Sequence, residues 1–476
     1  MSKKSQGYAF VSTAKQNFKM VGARLADQHL NLAVTGLSGS GKTAFITSLV
    51  NQLLEAKDGA DLPFFSVVRE ERLQGVRREV QPNLSLSRFA YEDAMQDLNA
   101  LPAQWPKSTR GISQVRLRLR YRKNSGLSRY FSEQGSITLD ITDYPGEWLL
   151  DLPLLDMDFS QWSAHCENEL LQAKRQELAK SFLLQREQLD LNAPGDELTL
   201  QTIAQTYTDY LHACRAYGFQ LLQPGRFILP GELEGAPVLH FFPLCEASLV
   251  RQNVDLSAPQ KGSNAQLLIS RFGHYQDEVI KPFYRQHFKR FDRQVVLVDC
   301  LSALNHGKSC FRDLQQALNW LLGSFEYGQS NALKRLFSPK IDKLIFAASK
   351  ADHVTPDQQN SLVKLLDSML HSARQQIQFD GVLTESTAIA AIRSSRAGIS
   401  EYNGQNIQVL KGIDPNGDPV TLFPGDVPQQ CPEEEFWQQQ GFDFPSFLPP
   451  VRKSSQALPH IRMDRILDFI LGDKMQ

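Results

Sequence analysis

The sequence predicts an α/β fold, a mostly parallel sheet covered by helices on both faces and broken by helical insertions. Three observations predict it. Short apolar runs at 30–35, 295–301, 343–348 and 382–392 look like buried parallel strands. Helix-period stretches at 43–54, 308–325 and 358–376 alternate with them, the pattern of a sheet covered on both sides. The first run ends on a glycine-rich loop, GLSGSGKT at 36–43, that leads directly into a helix.

Taken in order, residues 13–28 carry Phe18, Val21 and Leu25 at helical spacing, so 1–28 is expected as a basic N-terminal helical arm. The core is expected to comprise 29–57, 110–150 and 236–476. Residues 58–109, irregular and mixed in charge with one helix near 87–100, read as an insertion. At 115–122 the chain alternates strictly. Val115, Leu117, Leu119 and Tyr121 fall on one face and four arginines on the other, and 136–142 supplies a second strand for an antiparallel hairpin. Residues 151–235 read as a helical insertion, with Ile203, Tyr207, Tyr210, Leu211 and Cys214 forming an apolar stripe that needs a partner surface. A strand is expected at 238–242 and a final amphipathic helix at 461–471.

Composition excludes several classes of function. With 51 Lys+Arg against 52 Asp+Glu, the net charge of −1 gives no global attraction to nucleic acid, and direct nucleic-acid binding is not expected. The six cysteines are scattered without a CxxC pair, which implies neither a disulfide framework nor a zinc site and fits a reducing, cytoplasmic setting. No run approaches the length of a membrane-spanning helix, so the chain is not expected to be transmembrane.

Three elements carry chemistry. Residues 36–43 match G-x-x-x-x-G-K-[ST] in full. Gly36, Ser38, Gly39, Ser40, Gly41 and Ala44 would turn backbone N–H groups and a helix N-terminus toward a diphosphate. Lys42 would bridge the β- and γ-phosphates, and the Thr43 hydroxyl would take a Mg²⁺ position. The second element is LDITDYPGEW at 139–148. Asp143, at the end of an apolar strand, would hold Mg²⁺ and the Gly146 N–H would sense the γ-phosphate. The third is SKAD at 349–352. The Asp352 carboxylate can accept two hydrogen bonds from the N1 and N2 edge of guanine, a fit adenine does not offer. The Lys350 stem would cover one face of that base, and the Ala388 N–H, at the end of a later strand, would reach guanine O6.

With these residues in view, the chain resembles Ras-like, translation-factor-related GTPases in GLSGSGKT, DYPG and SKAD. Over nearly its whole length it resembles the YcjX-like family of bacterial P-loop proteins, in LDITDYPGEWLLDLPLL, ASKADHV, IAAIRS and LFPGD. The resemblance implies a Ras-like P-loop NTPase core using GTP/GDP and Mg²⁺. It further implies a cytosolic, stress-associated GTPase switch that meets a protein effector, with a membrane protein as one candidate. KSTRG at 107–111 precedes the arginine strand as the switch threonine does in Ras-like folds. It nominates Thr109 as a Mg²⁺ ligand and Arg110 as a charge stabiliser supplied in cis.

Three departures qualify the match. Ser349 stands where Asn or Thr is usual. Glu147 stands where the water-orienting Gln is common, which implies slow intrinsic turnover. Residues 44–142 separate Thr43 from Asp143, more than a minimal domain needs. The arginine face reads either as a charged strand that blocks edge aggregation or as a docking surface for an acidic partner or anionic lipid. Two other functions compete with the switch. An ATPase or P-loop kinase needs the phosphate loop alone, and a scaffold would bind nucleotide without turning it over.

Overall fold

A computed structural model describes residues 27–55, 62–109, 111–124, 133–322, 341–379, 381–439, 441–451 and 456–476. The expected N-terminal arm lies almost wholly outside these residues, and Arg110 does as well.

Among the described residues the main sheet has eight strands: β1 (Asp27–Gly36), β2 (Leu73–Glu79), β3 (Ser87–Arg88), β4 (Ser113–Arg122), β5 (Gln134–Asp143), β6 (Arg293–Val298), β7 (Lys343–Ala348) and β8 (Leu383–Ala388). They run in the order β2-β4-β5-β1-β6-β7-β8, with β3 also paired to β4. From β5 through β8 every neighbouring pair is parallel. β4 is antiparallel to β5 and to β2, so the hairpin expected from the alternating arginine strand forms. The segment expected as an insertion at 58–109 thus lends β2 and β3 to the sheet itself.

Side chains alternate across each strand, and this splits the core in two. Val295, Leu297, Ile345 and Ala347 face a layer built by the helix after the glycine loop, α1 (Lys42–Glu55), and by the C-terminal helix α8 (Met463–Leu471). Val296, Val298, Leu344 and Phe346 face the opposite layer. There lie α3 (Phe159–Leu170), α4 (Glu197–Tyr217), α5 (Asn264–His274), α6 (Lys308–Leu322) and α7 (Gln359–Phe379); α2 (Tyr91–Leu98) sits beside α1. The stripe from Ile203 to Cys214 is buried in this layer. A buried ion pair pins the helical region to α6, with Arg175 Nη2 donating to Asp313 Oδ1 at 2.5 Å and to the Leu221 carbonyl at 2.9 Å.

The strand expected at 238–242 does not form. Pro237–Leu239 is a short 3₁₀ turn, and the flanking Pro237 and Pro243 have no N–H to give a ladder. Phe241 and Phe242 are buried among helices instead. A second sheet, which the sequence reading missed, is antiparallel and joins β9 (Arg396–Tyr402), β10 (Gln405–Ile413) and β11 (Pro419–Leu422).

Candidate nucleotide site

β1 delivers Gly36 to the carboxyl edge of the sheet, and α1 starts six residues later. The intervening loop turns through Gly39 and Gly41, whose φ angles of 75° and 86° lie where side chains are rarely tolerated. Lys42 folds back, its Nζ donating to the Gly36 carbonyl at 2.7 Å. That poses its ammonium over the loop's mouth, and the N-terminus of α1 opens the same way.

Three residues from separate segments meet beside the loop. The Thr43 and Thr109 hydroxyls lie 3.4 Å apart, and Thr109 donates to Asp143 Oδ2. Asp143 closes β5 and is almost fully buried, and its Oδ1 has no hydrogen-bond partner among the described residues. Burial pushes its carboxyl above the usual range, against the pull of Lys42 and the Thr109 hydrogen bond, and Glu147 adds to the rise. A buried carboxylate oxygen without a partner, on a side chain that Thr109 links to the Thr43 hydroxyl, suits a hard divalent cation such as Mg²⁺.

The turn after Asp143 is held from both sides. Tyr144 is buried, stacked on Phe291 with ring centroids 5.7 Å apart, and accepts a hydrogen bond from Gln294 at 3.1 Å. Trp148 lies under the Arg226 guanidinium, 3.3 Å from its ring centroid, and donates to the Leu229 carbonyl. Gly146 touches the phosphate loop so closely that a Cβ there would sit 2.1 Å from the Gly36 oxygen. Glu147 is buried, and its carboxylate lies 3.4 Å from the Arg215 guanidinium at the end of α4. Arg215 Nε also donates to Ser38 Oγ at 3.0 Å.

At the other end, Lys350 adopts a left-handed conformation with φ 61°, and its ammonium pairs with Asp299 at 2.5 Å and Ser302 at 3.1 Å. Asp299 is buried, which opposes ionisation. Lys350 and the hydrogen bonds from Ser302 nevertheless hold its carboxyl below the ordinary range. Asp352 Oδ2 accepts from the Ser394 N–H and hydroxyl, both at 2.6 Å, and its Oδ1 lies 4.0 Å from His353 Nε2. Ser349 donates its N–H to the Val298 carbonyl at 2.9 Å, tying the 349–352 loop to β6.

One cavity of about 410 Å³ joins these parts, lined by residues 38–44, Thr109, Glu147, Lys350 and Asp352. Asp143 does not line it, and reaches it through the hydrogen bond from Thr109. Ala388 is the last residue of β8, at the strand end where the sequence placed it. It sits in the β7–β8 ladder opposite Ala348, and the residues that reach the cavity wall are Ile389 to Ile392. Sequence reasoning missed Arg215, Trp105, His353 and Phe447, which also line the cavity. Trp105 donates to the Phe447 carbonyl at 2.9 Å, and His353 stands edge-on to the Phe447 ring. The only signal for Trp105 was its place four residues before Thr109.

A mostly parallel sheet whose first strand opens a glycine loop onto a helix defines an α/β fold of the P-loop type. The model of the YcjX-like family, DUF463, matches residues 30–475, and the chain belongs to that family. It is 47% identical to the protein named Ras-like GTPase YcjX from Escherichia coli K12, over 95% of this chain and 97% of that one. It is 46% identical to the protein of the same name from Shewanella oneidensis, over 95% of this chain and 96% of that one.

Proposed function

We propose that this protein binds GTP with Mg²⁺ and hydrolyses it slowly as a regulatory switch. The observation that carries the reading is the single cavity lined at one end by Lys42, Thr43 and Thr109, against buried Asp143, and at the other by Lys350 and Asp352. Relatives named as Ras-like GTPases across nearly their full length support the same reaction.

Each residue has a task. Backbone N–H groups of 39–44 cradle the diphosphate, and Lys42 neutralises the β- and γ-oxygens. Thr43, Thr109 and Asp143 hold Mg²⁺, which when bound supplies charge stabilisation to the phosphates. The Gly146 N–H reports on the γ-phosphate, and Asp352 selects guanine while Lys350, braced by Asp299, lies along its face. Glu147 orients water from a buried position whose charge Arg215 offsets, which fits slow intrinsic turnover.

The helical region at 151–235 and the sheet edge from 58–109 are proposed to transmit the nucleotide state to a protein effector. A cytosolic location, the stress association and a membrane-protein partner rest on the family resemblance. Among the described residues no helix is long and apolar enough to cross a membrane.

Fluorescent GDP and ADP titrations with wild type and Lys42→Ala test the proposal. Wild type is expected to prefer GDP. Loss of the charged phosphate contact should cost about 1.5–3 kcal/mol, at least tenfold in affinity, and abolish turnover. Unchanged affinity in Lys42→Ala would remove the loop as the phosphate site.

A further inference from the structure

We propose that Arg215, at the end of α4, is a catalytic residue that stabilises the charge developing on the γ-phosphate, supplied in cis by the helical region. This rests on the GTPase reading above and adds a group to that site.

The position of Arg215 is fixed from several directions. α4 is capped at Gly218, with φ 113°, where a Cβ would come within 2.8 Å of His306. Cys214, next to Arg215, is fully buried, and the Gln220 and Leu221 N–H groups donate to Asp313, which ties the segment after α4 to α6. The last turn of α4 therefore has little freedom, while the Arg215 side chain remains about 30% exposed on the cavity side.

Its contacts mark the reacting end of the cavity. Arg215 Nε donates to Ser38, the third residue of the phosphate loop, and a terminal nitrogen lies 3.4 Å from Glu147, the residue after Gly146. Gly146 is in contact with Gly36, so these two partners flank the seam between phosphate loop and switch turn. That seam is where a γ-phosphate, held by Lys42 and sensed at Gly146, would emerge. A planar guanidinium with five donors can release Ser38 and take two phosphate oxygens while keeping Glu147.

In the step itself a water oxygen bonds to the γ-phosphorus. The bond to the β–γ bridging oxygen breaks, its electron pair leaves with GDP, and the water's proton goes to the released phosphate. Arg215 transfers no proton. It donates hydrogen bonds to oxygens whose charge grows along the path, an interaction stronger in the transition state than in the ground state.

The test uses the full chain, with wild type, Arg215→Ala, Arg215→Lys and Arg110→Ala. Two quantities are measured: single-turnover GTP hydrolysis, and capture of fluorescent GDP with Mg²⁺ and aluminium fluoride, which imitates the transferred phosphoryl group. Arg215→Ala is expected to hydrolyse about 10³-fold or more slowly and to lose aluminium fluoride capture, with GDP affinity changed little. Arg215→Lys keeps the stem's packing and a charge but not the fork, so it should bind GDP normally and recover only part of the rate. Hydrolysis and capture at wild-type levels in Arg215→Ala would overturn the proposal while leaving the GTPase reading intact. So would loss of both in Arg110→Ala alone. Failure of wild type to bind or hydrolyse GTP would remove the reading beneath it as well.

Discussion

Replacing Gly146 by alanine puts a methyl group 2.1 Å from the Gly36 oxygen, 2.7 Å from its carbonyl carbon and 3.1 Å from the Leu37 nitrogen. All three are backbone atoms, so no side chain can swing aside. Contacts under 3.0 Å are essentially never made by a real Cβ, and the switch turn and phosphate loop must part by about 0.9 Å or more. Overpacking of this kind costs about 1–3 kcal/mol. The displaced parts are the ones proposed to hold the reacting phosphate, and a misplacement near 1 Å costs on the order of a hundredfold in rate. Gly146→Ala is therefore expected to lower the unfolding free energy by about 1–3 kcal/mol in denaturant titration and to slow single-turnover hydrolysis about a hundredfold. Gly273→Ala is the control. It lies in α5 with open space where its Cβ would go, and should be neutral or stabilising by up to about 1 kcal/mol. If Gly146→Ala unfolds and turns over like wild type, the close seam between the two loops does not exist in solution.

Thr43→Ala and Thr109→Ala remove the hydroxyls beside Asp143, and each should sharply weaken the Mg²⁺ dependence of GTP-analogue affinity. An unaltered Mg²⁺ titration would mean that the cation is held elsewhere. Glu147→Gln should change turnover while GDP affinity stays constant; a matching fall in GDP affinity would make Glu147 a structural residue. Asp151, fully buried and bonded to the Gly225 N–H and the Tyr275 hydroxyl, has its carboxyl pushed up by burial to about 7 from an ordinary 3.8. The folded state then holds more protons than the unfolded one between those values, so this group's contribution to stability falls as pH rises through that window. The stability difference between wild type and Asp151→Asn should shift by up to about 1.4 kcal/mol per pH unit there, and a flat difference would refute the buried, raised carboxyl.

The parts that were legible in the sequence are local ones. The phosphate loop, Asp143 and the 349–352 loop each sit where a strand hands over to a loop, so their setting is encoded within a dozen residues. Thr109 was reachable because it precedes a strand that alternates without a break. Arg215 was not, since its role depends on how a helix far along the chain docks on the other layer. Trp105 and Phe447 meet across 342 residues, and no spacing rule links them. Ala388 stands at a strand end as the sequence placed it, although the apolar run at 382–392 continues past the ladder with β7, which closes at Ala388. The β9–β11 sheet escaped notice because its apolar residues, Ile399, Ile407 and Ile413 among them, follow no pattern that faces a core, and in these strands only Val409 and Leu410 are buried.

Guanine selection by Asp352 is the claim on which a GTP switch, rather than an ATPase, depends. Asp352→Asn keeps the side chain's shape and the nearby Ser394 contacts but puts a donor where guanine N1 and N2 also donate. Losing a buried bidentate charged contact should cost about 2–4 kcal/mol, or some thirtyfold or more in GTP affinity. Xanthine carries a carbonyl in place of the 2-amino group and should regain part of that loss. Competition of GTP, XTP and ATP against a fluorescent guanine nucleotide measures all three. Wild type is expected to rank GTP far above XTP and ATP, and the variant to move toward XTP with ATP weak throughout. Wild type binding ATP as tightly as GTP, with a variant indifferent to the base, would contradict the assignment.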